Sequence, residues 1–226
     1  MRPTHMTAIV PMRHQSERVR GKNYRPFAGR PLYHRIIETL LACSSIDRVV
    51  IDTDSDWIRQ DAATHFPSVI VVERAEHLRA GEIPMNDVLI GTTERVEAPF
   101  YLQTHSTNPL LRSETVERAI ARFLATHPNH DSLFSVTRVG TRLWDGLHRP
   151  INHNPAILLR TQDLPPIYEE NSCLYLFSRD VLHSLRNRIG IRPLLFEIDR
   201  EEAWDIDEES DFDVAEFLFS RREGFT

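Results

Sequence analysis

The stretch Thr7 to Asn23, TAIVPMRHQSERVRGKN, passes within a few residues from a buried strand to a cationic loop. Thr7 to Val10 is largely apolar and β-branched, as in a strand covered on both faces. Pro11 has no N–H to give a ladder, so the strand is expected to end there. The loop that follows carries Arg13, Arg18, Arg20 and Lys22, with Ser16 and Gly21 at its turns. In open α/β sheets the C-terminal edge of the strands is where ligands bind, and a loop of cations there suits a polyphosphate. Lys22 is the only lysine among 27 basic residues. An ammonium is a compact charge that can approach one phosphate oxygen, whereas the guanidinium fork needs more room. The plain alternative is a solvated surface lysine.

Working outward, Pro31 suits the first turn of a helix whose Leu32, Ile36, Ile37, Leu40 and Leu41 share one face. Arg48 to Thr53 reads as a second strand, Asp54 or Ser55 caps a helix to about His65, and Val69 to Val72 gives a third strand. A helix from Pro84 to Glu94, a strand at Phe100 to Gln103, a helix capped by Ser113 and a strand at Leu133 to Thr137 continue the alternation. Strand and helix alternating with right-handed crossovers is the doubly wound α/β pattern. Ser172 to Phe177 and Pro193 to Ile198 supply the last strands, with Ser178 capping the helix between them. Ser210 caps a closing helix that carries Phe212, Ala215 and Phe219 on one face. Only residues 138–170 break the pattern, and they are too many for a plain connection. They are expected to form an arm that packs on a second subunit through Trp144 and Leu147, giving a homodimer; a disordered lid is the alternative.

At 226 residues, residues 1–226 are expected to form one domain. No apolar run approaches the roughly 18 residues of a membrane span, and MRPTHM lacks the apolar stretch of a secretory leader. Cys43 and Cys173 lie far apart without metal-ligand spacing, so neither a disulfide framework nor a zinc site is indicated, and a cytoplasmic setting is expected. A net charge of -6 argues against a general nucleic-acid binder. Its distribution is informative: six cations face one acid between Met12 and Arg30, and eleven acids face one arginine between Glu197 and Glu216. A triphosphate with its metal ions needs such a pair of regions.

Asp205 and Asp207 are separated by one residue, so in an extended segment both carboxylates point one way while Ile206 points into the core. That pair can chelate a hard divalent cation such as magnesium. The alternative, acids decorating a helix N-terminus, fits Glu208 and Glu209 better. The triplet Asp52-Thr53-Asp54 ends the second strand, where capping is the preferred reading.

The loop RHQSERVRGKN resembles the signature of the CMP-sugar synthetases, the cytidylyltransferases that activate 3-deoxy-2-ulosonic acids such as sialic acids and Kdo. QTHSTNPLL is similar to their glutamine-led second loop, RTQDLPPIYEENSCLYLF to the segment leading to an asparagine-bearing strand, and DIDEESDFDVAE to their metal-binding motif. The four motifs occur in the family's order. The resemblance implies a Rossmann-like, GT-A-like nucleotidyltransferase fold: a three-layer sandwich on a mainly parallel mixed sheet, with a dimerisation arm. It implies that CTP and an acidic ulosonic sugar, with Mg2+, give CMP-sugar and pyrophosphate. By matching position, Arg13, Ser16, Lys22 and Asn23 hold the nucleotide and its phosphates, Arg74 the base or ribose region, and Gln103, Arg160 and Asn171 the sugar. Asp205 and Asp207 carry the metal, and Arg13 and Lys22 join them as catalytic groups. The chain departs from the sialic acid type in Glu17-Arg18, closer to the Kdo type, in Glu169 and Glu170 before the asparagine, and in lacking an aromatic pair near Gly190 and Ile191.

The implied reaction is attack of the sugar's anomeric hydroxyl on the α-phosphate, in line with departing pyrophosphate. No general base is obvious, and His105 is a candidate only because it follows the right strand. A nucleotide-sugar-dependent glycosyltransferase using Asp-Ile-Asp, and a silent sugar-nucleotide-binding subunit, are the rival readings.

Overall fold

Strand β1 (Met6–Met12) is buried at every position. It lies inside a seven-stranded sheet in the computed structural model, which describes residues 6–224; the leader reading of MRPTHM falls mostly outside them. A two-stranded hairpin, β2 (Pro26–Phe27) and β3 (Arg30–Pro31), leads into α1 (Leu32–Leu41), β4 (Arg48–Thr53), α2 (Asp56–His65) and β5 (Ile70–Glu73). Then come α3 (Met85–Arg95), β6 (Phe100–Gln103), α4 (Ser113–Thr126), β7 (Ser132–Val139), β8 (Ile167–Ser178), α5 (Arg179–Leu185), β9 (Pro193–Glu197) and α6 (Glu209–Glu223). The sheet order is β5-β4-β1-β6-β8-β7-β9, and only β8 runs against the rest. This is the expected α/β architecture with a mainly parallel mixed sheet.

Alternation along the strands sorts the core into two layers. Ala8 and Val10 face α1, α2 and α4, while Ile9 and Tyr101 face the side of α3 and α5. Pro11 does not end β1; it pairs in register with Asp52 of β4. The partner on its other side, β6, stops at Gln103 opposite Ile9, so the absent N–H of Pro11 faces no strand and no ladder bond is lost. Leu41 also departs from expectation: it is 44% exposed at the end of α1, while Leu32, Ile36, Ile37 and Leu40 are buried.

The helix starts show how distant contacts replace local capping. Ser55 caps α2 and Ser178 caps α5, as read from sequence. Ser113 does not cap α4. The buried Glu202 does so from across the fold, accepting the Arg112 N–H at 3.0 Å and the Thr115 hydroxyl at 2.9 Å. Helix α6 starts from a reciprocal bond between Glu208 and Asp211 rather than from Ser210.

The expected arm is less irregular than its composition suggests. Strands β7 and β8 continue as a hairpin, pairing Val136 with Glu170 and Val139 with Ile167, so only its far part lacks strand structure. Within β8 the register jumps, with Phe134 opposite Tyr175 and Val136 opposite Glu170. The extra residues form a bulge that includes Ser172, whose φ is +60°. The Ser135 hydroxyl pins the bulge, donating to Asn171 Oδ1 at 2.6 Å and accepting the Leu174 N–H at 2.8 Å.

Candidate active site

Three segments distant in sequence meet over the C-terminal edge of the sheet: the loop after β1, the loop after β6, and residues 204–208 before α6. Ile206 is fully buried with Val19, Phe27, Leu32, Leu110 and Phe212. The extended chain therefore turns Asp205 and Asp207 the other way, onto the wall of a cavity of about 490 Å³. The Lys22 ammonium donates to the Ile206 carbonyl, and the Ile206 N–H donates to the Thr107 carbonyl at 3.0 Å. The Ser106 hydroxyl donates to Asn23 Oδ1 at 2.6 Å, and Asn23 Nδ2 donates to the Arg13 carbonyl at 2.8 Å. The three segments form one hydrogen-bonded unit.

The turn that starts this unit needs a glycine. Gly21 has φ +64°, and a Cβ there would meet the Tyr24 ring at 2.8 Å. The next residue, Lys22, is only 8% exposed. Burial lowers its pKa, and the charges of Asp205 and Asp207 oppose that shift. Asp205 moves upward, chiefly through burial, with Thr107, Lys22 and Arg18 opposing. Its Oδ1 is buried without a hydrogen-bond partner among the described residues. An orphaned carboxylate oxygen of this kind is costly, and a hard cation completes it. Asp207 Oδ1 accepts from Arg18 Nη2 at 2.6 Å, in a pair exposed on both sides. Such a pair contributes little to stability and opens readily to a ligand.

Arg13, Ser16, Lys22, Asn23, Arg74, Asp205 and Asp207 all line this one cavity. The Arg13 guanidinium makes no hydrogen bond or ion pair among the described residues, and it lies so close to Gly81 that a Cβ there would meet it at 2.9 Å. Ser16 shapes the loop, its hydroxyl accepting from the Val19 N–H at 3.4 Å. Arg74 belongs to the wall, with Nε donating to Asp52 Oδ1 at 2.5 Å and the Thr92 hydroxyl holding the other oxygen at 2.7 Å. The Asp52 and Asp54 carboxylates cap no helix, because Asp52 neutralises Arg74 and Asp54 accepts the His14 N–H. A second cavity, about 600 Å³, lies on the other side of Arg13, Gln15 and Glu17; it lacks Lys22 and both aspartates.

The residues expected at the sugar are placed differently. Gln103 is fully buried and off the cavity wall. Its Oε1 accepts from Arg188 at 2.5 Å, and its Nε2 lies 3.0 Å from His105 Nε2, so it positions those two groups from behind. Asn171 is bound into the β8 bulge, donating to the Thr137 hydroxyl at 2.8 Å, but it lines an adjoining cavity of about 350 Å³ that Asp205 and Asp207 also border. Arg160 pairs with Asp163 on the exposed arm and lines neither cavity. Sequence reasoning missed Arg188, which supports Gln103 from behind the wall with its guanidinium 3.5 Å from the Tyr175 ring centroid. In a chain that writes almost every cation as arginine, nothing local marks it.

The topology is that of a Rossmann-like nucleotidyltransferase, with cations and paired carboxylates on one wall at the strand ends. The sequence profile of the cytidylyltransferases matches residues 7–218, and the chain belongs to that family. It is 26% identical over 222 residues to post-translational flagellin modification protein B of Campylobacter coli, covering 92% of each chain. It is 27% identical over 220 residues to the CMP-N,N'-diacetyllegionaminic acid synthase of Campylobacter jejuni subsp. jejuni serotype O:2, covering 91% of each. A solved CMP:2-keto-3-deoxy-manno-octonic acid synthetase complexed with CTP has the same fold, with a TM-score of 0.74 at 16% identity over 96% of this chain and 99% of that one. The resemblance to the CMP-sugar synthetases is borne out.

His105 lines the cavity, yet its pKa is pushed down to about 3 by burial, then by the charges of Arg188 and Lys22. So weak a base is a poor proton acceptor, which speaks against His105 as the general base. The shift has a consequence for stability. Above the unfolded value of 6.5 the imidazole is neutral in both states. As pH falls below it, only the unfolded chain takes up the proton, so stability falls by at most about 1.4 kcal/mol per pH unit from this group. NMR titration should show no His105 imidazolium forming between about pH 5 and 8, and His105→Gln should flatten the acid limb of a urea-stability profile. A His105 titrating near its ordinary value would contradict this.

Proposed function

We propose that this cytidylyltransferase acts on a 3-deoxy-2-ulosonic acid, preferably a sialic-acid-like nonulosonate, joining it to CMP and releasing pyrophosphate. The observation that carries the proposal is the cavity shared by the cationic loop and the Asp205–Asp207 pair. Similarity along nine tenths of both chains to a CMP-N,N'-diacetyllegionaminic acid synthase favours the nonulosonate, with a Kdo-like sugar as the second acceptor to test.

In this reading Arg13 and Lys22 bind the triphosphate. Lys22 uses one of three ammonium donors on Ile206, leaving two for phosphate oxygens. A charge-assisted hydrogen bond contributes about 1.5 to 3 kcal/mol. A bond forms between the sugar's anomeric oxygen and the α-phosphorus, the bond to the β-phosphate oxygen breaks, and the hydroxyl proton passes to solvent. Asp205 Oδ1 and the Asp207 carboxylate would hold Mg2+, which when bound would supply charge to polarise the α-phosphate. Arg18 releases Asp207 when the ligands enter, freeing both groups for them. Asn171, on the cavity next to the aspartates, would face the sugar, while Arg188 holds Gln103 behind the wall.

Pyrophosphate release from CTP with a panel of ulosonic acids tests the proposal. Acceptor-dependent release that Asp207→Ala abolishes, with circular dichroism unchanged, is the expected result. Release within a few-fold of wild type in that variant would remove the pair from the mechanism; no release with any ulosonic acid would favour a glycosyltransferase or a silent subunit.

The chain is further proposed to act as a homodimer. Leu147, Ile157 and Leu158 on the far part of the β7–β8 hairpin are 70%, 56% and 90% exposed, and Trp144 and Ile151 in the same segment are exposed as well. Five large exposed apolar residues in one segment are what an interaction surface supplies. Light scattering should give twice the chain mass of 26.3 kDa. A monomer at micromolar concentration would contradict it.

A further inference from the structure

Away from the active-site cavity, three ligand-type side chains converge between α1 and α2. We propose that His34, Asp61 and His65 bind a first-row transition-metal ion, zinc by preference, in a site separate from the aspartate pair. The ligand atoms of these residues all lie within 4.8 Å of one another. His34 Nε2 is 2.6 Å from Asp61 Oδ2, and His65 Nδ1 is 3.2 Å from Asp61 Oδ1. Zinc bonds of about 2.0 to 2.2 Å place neighbouring tetrahedral ligands roughly 3.3 to 3.5 Å apart. The ion therefore enters with small side-chain shifts, the largest at the half-exposed His65, whose Nδ1 must give up its hydrogen bond to the Asp61 carbonyl at 3.0 Å.

The scaffold is suited to that role. Asp61 and His65 are one turn apart on α2 and share its face, while His34 is supplied by α1. His34 and Asp61 have side chains 4% and 14% exposed, so two of the three ligands are already held in place. The Tyr33 hydroxyl donates to Asp61 Oδ2, the kind of outer partner that orients a metal-binding carboxylate. The Phe66 ring packs edge-on against His34 at 4.7 Å, giving the inner side an apolar wall. His65, 53% exposed, opens the outer side to water, which supplies an entry path and a fourth ligand. Two imidazoles and one carboxylate suit zinc and its neighbours, whereas magnesium takes oxygen ligands, so the two sites would not compete for one ion. A bound ion would cross-link the helix that follows the cationic loop to the next helix in the sheet's first crossovers.

The alternative is a metal-free clamp in which imidazole protons fill the gaps between the same atoms. Titration calorimetry with zinc chloride on the untagged full-length chain, first freed of metal by a chelator, separates the two. The wild type should bind one zinc per chain. His65→Ala, at an exposed position and with unchanged circular dichroism, should weaken binding by more than the roughly ten- to hundredfold that loss of an outer partner costs; His65→Gln serves if the alanine variant folds poorly. X-ray absorption of the zinc-loaded protein should show nitrogen and oxygen ligands only, with scattering from two imidazoles. No zinc binding by the wild type, or equal binding by the His65 variant, would overturn the proposal.

Discussion

The buried ammonium of Lys22, held on the Ile206 carbonyl, is the contact on which the candidate site depends. Lys22 and Ile206 stand at opposite ends of the chain, each beside the charges its own segment supplies. Bringing Arg13, Arg18 and Lys22 onto one wall with Asp205 and Asp207 is favourable only if their spacing is fixed, because exposed pairs are weakly attractive and screened. Fixing the spacing falls to apolar packing. Val19 from the cationic loop, Ile206 from the acidic segment, and Phe212 and Phe219 from α6 share one small core. The Arg25 and Arg35 guanidinium groups lie over Phe212 and Phe219 at 4.2 and 4.6 Å, so the cations nearest this core add to the same closure.

That closure sets the electrostatics of the cavity. Lys22 and Asp205 are each pushed toward neutrality by burial, and each opposes the other's shift. Asp205 keeps an oxygen without a partner among the described residues, and Arg13 keeps its guanidinium without one. The wall thus sets a carboxylate oxygen suited to a cation beside a guanidinium suited to an anion. The Arg18–Asp207 pair spans the two as an exposed contact that is inexpensive to break.

Much of this was legible from residue order because it rests on local rules. The two-residue spacing of Asp205 and Asp207 gives their common direction in any extended segment, and strand alternation gives the two core layers. Lys22 was visible through its chemical singularity. What sequence did not show depends on contacts between distant segments. Glu202 caps α4 from another part of the chain, which no local motif near Ser113 reveals. Arg74 carries the charge expected of a ligand-binding group, yet Asp52 neutralises it, and that pairing follows from the parallel register of β4 and β5. Gln103 ends its strand on the expected edge, but Arg188 draws its side chain behind the cavity wall. Residues 138–170 read as irregular because their strands extend beyond the core and carry polar residues on both faces.

The central claim, that Lys22 joins the acidic segment to the triphosphate, is open to a chemical test because the chain has one lysine. An amine-selective reagent has that side chain and the α-amino group as its amine targets, and a lowered pKa leaves more of the Lys22 amine in its reactive form. Following modification of Lys22 by peptide mass spectrometry alongside pyrophosphate release is the most direct measurement. Inactivation should track modification of Lys22, and CTP with Mg2+ should protect both. Full activity after quantitative modification of Lys22 would contradict the claim.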